Sequence, residues 1–74
     1  MKMVDMEATG KNIKRLIKKN NLSYRDIQKA CLFRTDKAIY KWMQGRSLPT
    51  IDNLVILADL FHCTMDDIIV VDRR

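Results

Sequence analysis

Residues 22–49 read LSYRDIQKACLFRTDKAIYKWMQGRSLP, and how this stretch winds decides the fold. It holds two short amphipathic helices back to back. The second is expected from about Thr35 to Gln44; at roughly 100° per residue, Ile39, Ala38, Trp42, Met43 and Thr35 gather on one arc. Lys37, Lys41 and Gln44 fall on the opposite arc, with Tyr40 and Asp36 on the flank. Such a helix buries its tryptophan side and presents a basic, hydrogen-bonding stripe. Thr35 is the expected N-cap, and Gly45 suits the left-handed position just beyond the C-terminus.

The outward residues match the chemistry of DNA. A B-form major groove is about 12 Å wide and admits one α-helix. Its base edges offer acceptors to Lys, paired donors and acceptors to Gln, and a thymine methyl to an apolar surface. Lys37, Lys41, Gln44 and Tyr40 are the candidates for those contacts. The unpaired N–H groups behind Thr35 suit a phosphate. Asp36 fits least, because a carboxylate is repelled by phosphates. It either accepts from a cytosine amino group or complements the positive end of the helix dipole, and the dipole role is the expected one. Solvated helix faces carry Lys and Gln for solubility alone, so the stripe needs support from the rest of the chain.

Charge supplies that support. The net charge of +5 is unevenly spread. From Lys11 to Arg46 eleven lysines and arginines stand against Asp26 and Asp36, a local net of +9. From Ser47 to Asp72 there are five aspartates and no Lys or Arg. A polyanion is drawn to the first half and repelled by the second, as a nucleic-acid footprint on one face requires.

Length bounds the alternatives. Seventy-four residues predict one domain dependent on efficient helix packing, and 47% hydrophobic residues are enough for a core. No apolar run approaches the ~20 residues of a membrane span. The opening MKMVDMEATG lacks the apolar centre of a secretory signal, so a cytoplasmic location is expected. Cys31 and Cys63 have no C-x-x-C spacing and read as reduced, half-buried hydrophobes. His62 and Cys63 are adjacent and point about 100° apart on a helix, which disfavours shared metal ligation. Neither a metal nor a cofactor is expected. The carboxylates are scattered, the histidine is alone and no glycine-rich loop is present, so no enzyme is expected.

The chain reads as all-α, a compact bundle of five helices. The first is expected from Thr9 or Gly10 to about Lys19, with Ile13, Leu16 and Ile17 as its buried stripe and Asn20 and Asn21 ending it. The next starts at Ser23 as N-cap and runs to about Cys31, with Ile27, Ala30 and Cys31 inward. Its leading residues Ser23, Tyr24 and Arg25 are expected near a DNA backbone if the following helix enters the groove. Leu32, Phe33 and Arg34 form the turn, and Arg46 and Ser47 lie in an exposed loop suited to phosphate. Pro49 and Thr50 open a fourth helix whose Ile51, Leu54, Leu57, Ala58 and Phe61 repeat at helical spacing. Thr64-Met65-Asp66-Asp67 resembles a capping box with Asp for Glu and opens a short fifth helix through Ile68 and Ile69. The domain is expected over 9–69, with a flexible tail over 1–8 and another over 70–74. Met3, Val4 and the run IIVV are β-prone, so the ends are expected to fray, to pack on the bundle, or to pair between two subunits.

Taken in order, Leu22-Ser23, Ile27, Ile39, Trp42, Gly45 and Pro49, followed by Leu54, Leu57 and Ala58, resemble the Cro/repressor-type helix-turn-helix domain of the Xre family. The segment IYKWMQGRSLPTIDNLVILADLF is especially similar to small members, and the resemblance covers about Lys11 to Ile69. It implies a lambda-repressor-like DNA-binding domain, a transcriptional regulator, often a homodimer on a palindromic operator in double-stranded DNA. Base contacts are then implied for Asp36, Lys37 and Lys41, with Tyr40 and Gln44 nearby. Phosphate contacts are implied for Tyr24, Thr35 and Arg46, which join Ser23, Arg25, Arg34 and Ser47 in the expected phosphate set. The chain departs from the family pattern in four places. Leu32 stands where the turn usually has glycine, and Tyr24 and Gln28 replace the usual Gln and Ala. The spacing from Ile27 to Ile39 is one residue longer, the extra residue falling most simply at Arg34. A competing expectation is a protein-interaction module, such as an antitoxin or phage adaptor, using the same basic surface.

Overall fold

The computed structural model describes residues 2–73. Its elements are β1 (Lys2–Val4), α1 (Met6–Lys19), α2 (Tyr24–Ala30), α3 (Lys37–Met43), α4 (Ile51–Phe61), α5 (Met65–Ile68) and β2 (Val71–Arg73). The five helices surround a core of Ile13, Leu16 and Ile17 from α1, Ile27 and Cys31, Ile39 and Trp42 from α3, Leu57 and Phe61 from α4, and Ile68. Burying an aliphatic or aromatic side chain of this size contributes about 1.5–3 kcal/mol. Each helix therefore depends on the others more than on its own propensity.

Four helices end in one way. The residue after the last turn goes left-handed, at Asn21, Leu32, Gly45 and His62, and the next N–H reaches back to close the end. Leu22 N donates to Ile17 O at 2.9 Å, Phe33 N to Gln28 O at 3.0 Å, Arg46 N to Lys41 O at 2.9 Å and Cys63 N to Ala58 O at 3.0 Å. This satisfies carbonyls that would otherwise be orphaned and turns the chain sharply. Glycine holds one of the four positions; at Leu32 a branched, 89% exposed side chain adopts φ 58°.

Helix α1 begins at Met6, ahead of the Thr9 or Gly10 expected from the sequence, and two physical reasons account for it. Asp5 is an N-cap whose carboxylate accepts from Ala8 N at 2.9 Å. Gly10, expected at the helix start, lies inside the helix where α1 crosses the end of α3 at backbone distance. A Cβ built on Gly10 would stand 2.1 Å from Trp42 O and 3.1 Å from Met43 O.

Residues 2–4 and 71–73, expected within tails, are also part of the fold; Met1 and Arg74 lie outside the described residues. β1 and β2 pair antiparallel within the chain, with Lys2 opposite Arg73, Met3 opposite Asp72 and Val4 opposite Val71. Polar groups of α1 set this register. Asp5 N donates to Val70 O at 2.8 Å, and the fully buried Thr9 hydroxyl accepts from Val70 N at 3.0 Å. Asn12 Nδ2 donates to Asp67 O at 2.8 Å and to Ile68 O at 2.9 Å.

The other boundaries move little. Ser23 caps α2 in a reciprocal box with Asp26, Thr50 caps α4, and Thr64 and Asp67 form the expected box at α5. Ile51, expected inward, is 74% exposed, because the inner side of α4 is filled by Leu57 and Phe61. Cys31 and Cys63 are free thiols, the first buried and the second half-buried. Burial pushes both thiols above their ordinary range, with Asp67 adding to the effect at Cys63.

Candidate nucleic-acid interface

Helices α2 and α3, joined by residues 31–36, are both anchored from the inside. Ile27 is fully buried on α2, while Ile39 at 0% and Trp42 at 3% exposure fix α3. The Trp42 ring meets Phe33 edge to face at 5.7 Å, which ties the turn to the helix that follows. Within the turn, the Arg34 carbonyl accepts from Gln28 Nε2 at 3.1 Å. Gln28 thus ties α2 to the turn that follows it.

The start of α3 differs from expectation. Asp36, not Thr35, occupies the N-cap, and Thr35 is exposed in the turn. The Thr35 hydroxyl instead accepts from Lys37 N at 3.3 Å, a local turn that keeps residue 35 out of the helix. At the far end the helix closes at Met43, with Gln44 as C-cap and Gly45 at φ 70°. Gly45 also has no room for a side chain, since a Cβ there would stand 2.8 Å from Glu7 Cα.

The outward stripe survives these shifts. Lys37, Tyr40, Lys41 and Gln44 are all exposed, and Asp36 is half-buried beside them. Tyr40 is braced by Tyr24, the first residue of α2, with ring centroids 5.2 Å apart and planes at 75°. That contact brings one expected phosphate residue against the expected reading face. Of the others, Arg25, Arg34 and Arg46 are exposed and Ser47 is half-buried. Ser23 is engaged in its cap, accepting from Asp26 N at 3.1 Å while its own N–H donates to Asp26 Oδ2 at 2.8 Å. The Ser23 backbone N–H, and after it the Ser23 hydroxyl, hold the Asp26 carboxyl below the usual carboxylate range.

Beside the stripe runs an open groove of about 480 Å³, floored by Phe33, Ala38, Trp42 and Leu48. Its rim is Thr35, Lys37, Lys41, Ser47, Thr50 and Asn53, with no carboxylate among them. The groove gathers Thr35 and Ser47 with the two lysines, and adds Thr50 and Asn53, which sequence reasoning did not single out. Thr50 is legible as a helix cap; its approach to α3 depends on the path of the 45–50 loop, for which the sequence carries no periodic signal. Arg34 and Arg46 are not among the groove residues.

Two helices joined by a tight turn, with the second held by its apolar side and free on its basic side, constitute a helix-turn-helix unit. A family model for helix-turn-helix proteins matches residues 13–68, and the chain belongs to that family, in its Xre, or Cro/repressor, branch. No curated protein and no solved structure matches the chain. The family is one of DNA-binding regulators and not of enzymes, and DNA is the partner its fold serves. Among the described residues no helix is long and apolar enough to cross a membrane.

Proposed function

We propose that the chain is a sequence-specific repressor that lays α3 in the major groove of double-stranded DNA, as a homodimer on a palindromic operator. Lys37 and Lys41 donate to guanine acceptors, Gln44 pairs an adenine edge or caps the contact, and Tyr40 packs on a thymine methyl. Asp36 reaches a base edge from the leading end of the same helix. Tyr24, Arg25, Arg34, Thr35, Arg46 and Ser47 hold the phosphates on either side, with Ser23 beside them at the start of α2. Repression needs no surface beyond these, because an occupied operator excludes other proteins from the same groove.

The observation that carries the reading is the exposure of Lys37, Tyr40, Lys41 and Gln44 on a helix whose opposite side, Ile39 and Trp42, is sealed in the core. The strongest test is a binding selection from random duplexes with a salt titration. A two-fold motif with half-sites about one helical turn apart, and an affinity that falls steeply with salt, is expected. A chain with no affinity for any duplex at low salt refutes the proposal and leaves the interaction-module reading, in which the same lysines grip an acidic protein.

A further inference from the structure

Five helices have five N-caps, and four of them use the cap side chain. Asp5, Ser23, Thr50 and Thr64 each accept from a backbone N–H three residues on. Asp36, at the head of α3, makes no such bond. Its backbone differs as well: φ −92° and ψ 7° depart from the extended conformation of the other four caps. The Lys37 N–H goes to the Thr35 hydroxyl instead. Among the described residues the Asp36 carboxylate also forms no ion pair, although Arg34 and Lys37 are close in sequence. The one acid of the reading helix therefore stands half-buried and unengaged.

Its position within the stripe is ordered. Wound at about 100° per residue, the outward arc runs Asp36, Tyr40, Gln44, Lys37, Lys41. The acceptor lies at one edge and the cations at the other, with Tyr40, whose ring is braced by Tyr24, next along the arc. An ionised carboxylate only accepts hydrogen bonds. In the major groove guanine shows two acceptors and thymine one, and adenine sets an acceptor beside its amino group; cytosine alone presents an amino donor without a neighbouring acceptor.

We infer that Asp36 is a specificity-determining residue that selects cytosine, accepting from its exocyclic amino group while Lys37 and Lys41 take guanine acceptors across the stripe. The inference rests on the proposed DNA-reading role of α3. Its second consequence is repulsive: away from the cognate site the carboxylate faces acceptors and phosphates, so Asp36 weakens binding to unrelated DNA and widens the gap between right and wrong sequences.

The test is the same random-duplex selection run on the full chain, on Asp36→Ala and on Asp36→Asn, with thermal melts of all three. Because the carboxylate makes no cap bond, both variants lose only its attraction to the helix dipole and are expected to melt within a few degrees of the parent. Asp36→Ala is expected to lose, by about tenfold, the preference for cytosine at one position of each half-site, and to bind unrelated duplexes several-fold more tightly. Asp36→Asn is expected to move that position toward adenine, whose amino group and N7 match an amide. If the parent selects a motif and both variants select the same one with equal strength, the role of Asp36 is overturned while the DNA-reading role stands. A parent that selects no motif overturns the DNA-reading role itself.

Discussion

Replacing Gly10 by alanine separates this structure from a looser one by sign. In an unhindered helix Gly→Ala stabilises by about 1 kcal/mol, since alanine loses less backbone entropy. Here the new methyl carbon would fall 2.1 Å from Trp42 O and 3.1 Å from Met43 O, both backbone atoms that no side-chain rotation can clear. Relief requires α1 and α3 to move apart by on the order of 1 Å, opening the seam that holds Ile13, Ile39 and Trp42; overpacking of this kind costs about 1–3 kcal/mol, and more where backbone is the obstacle. Because both obstacles are backbone atoms the cost falls at the upper end, about 3 kcal/mol, and after the gain of about 1 kcal/mol in propensity a net loss of about 2 kcal/mol remains. For a domain of this size that lowers the melting temperature by on the order of 10 °C, measurable by circular dichroism at 222 nm. A Gly10→Ala variant that melts at or above the parent temperature would refute the close crossing of α1 and α3, and with it the reason for the placement of α3.

Other consequences follow from the same structure. Leu32→Gly relieves the left-handed conformation of an exposed branched residue and should stabilise the fold by about 0.5–1 kcal/mol, after the entropy cost of glycine, as read from a urea midpoint. Asp26 and Asp67 are held below the usual carboxylate range by the Ser23 and Thr64 caps, so their contribution is present at neutral pH and is lost as pH falls through and below the ordinary value of 3.8. An acid titration followed by circular dichroism should show this, and Asp26→Asn with Asp67→Asn should flatten it; an unaltered acid limb would count against the caps. Lys41→Ala should reduce affinity for a selected operator by roughly 1–3 kcal/mol and relax one base position. Arg46→Ala should weaken all duplexes alike and lower the salt slope by about 0.9.

Much of this was legible in the sequence because it is local. The i, i+3, i+4 spacing of Ile13, Leu16 and Ile17 marks α1, Ser23 and Thr64 announce their helices by cap chemistry, and Ile39 with Trp42 fixes which side of α3 is hidden. What was not legible depends on distant partners. Gly10 reads as a helix start until Trp42 O is seen beside it, and the strands at the two ends are joined to α1 through Asp5 and Thr9, which hold Val70 some sixty residues away in sequence. Thr35 and Asp36 are both N-cap residue types, and the cap falls on Asp36 while the Thr35 hydroxyl takes the Lys37 N–H from outside the helix. The stripe on α3 could be read from its period, whereas the groove beside it, with Thr50 and Asn53, exists only once α4 is docked.

The most direct measurement is a two-dimensional NMR titration of the labelled chain with a duplex taken from the selection. Amide and side-chain signals from residues 36–44, with those of Tyr24, Arg25 and Arg46, are expected to shift together, while Asp52, Val55 and Asp59 on the exposed face of α4 stay still. Shifts concentrated on α4 or on the paired ends, with Lys37 and Lys41 unmoved, would show that α3 is not the element that meets DNA.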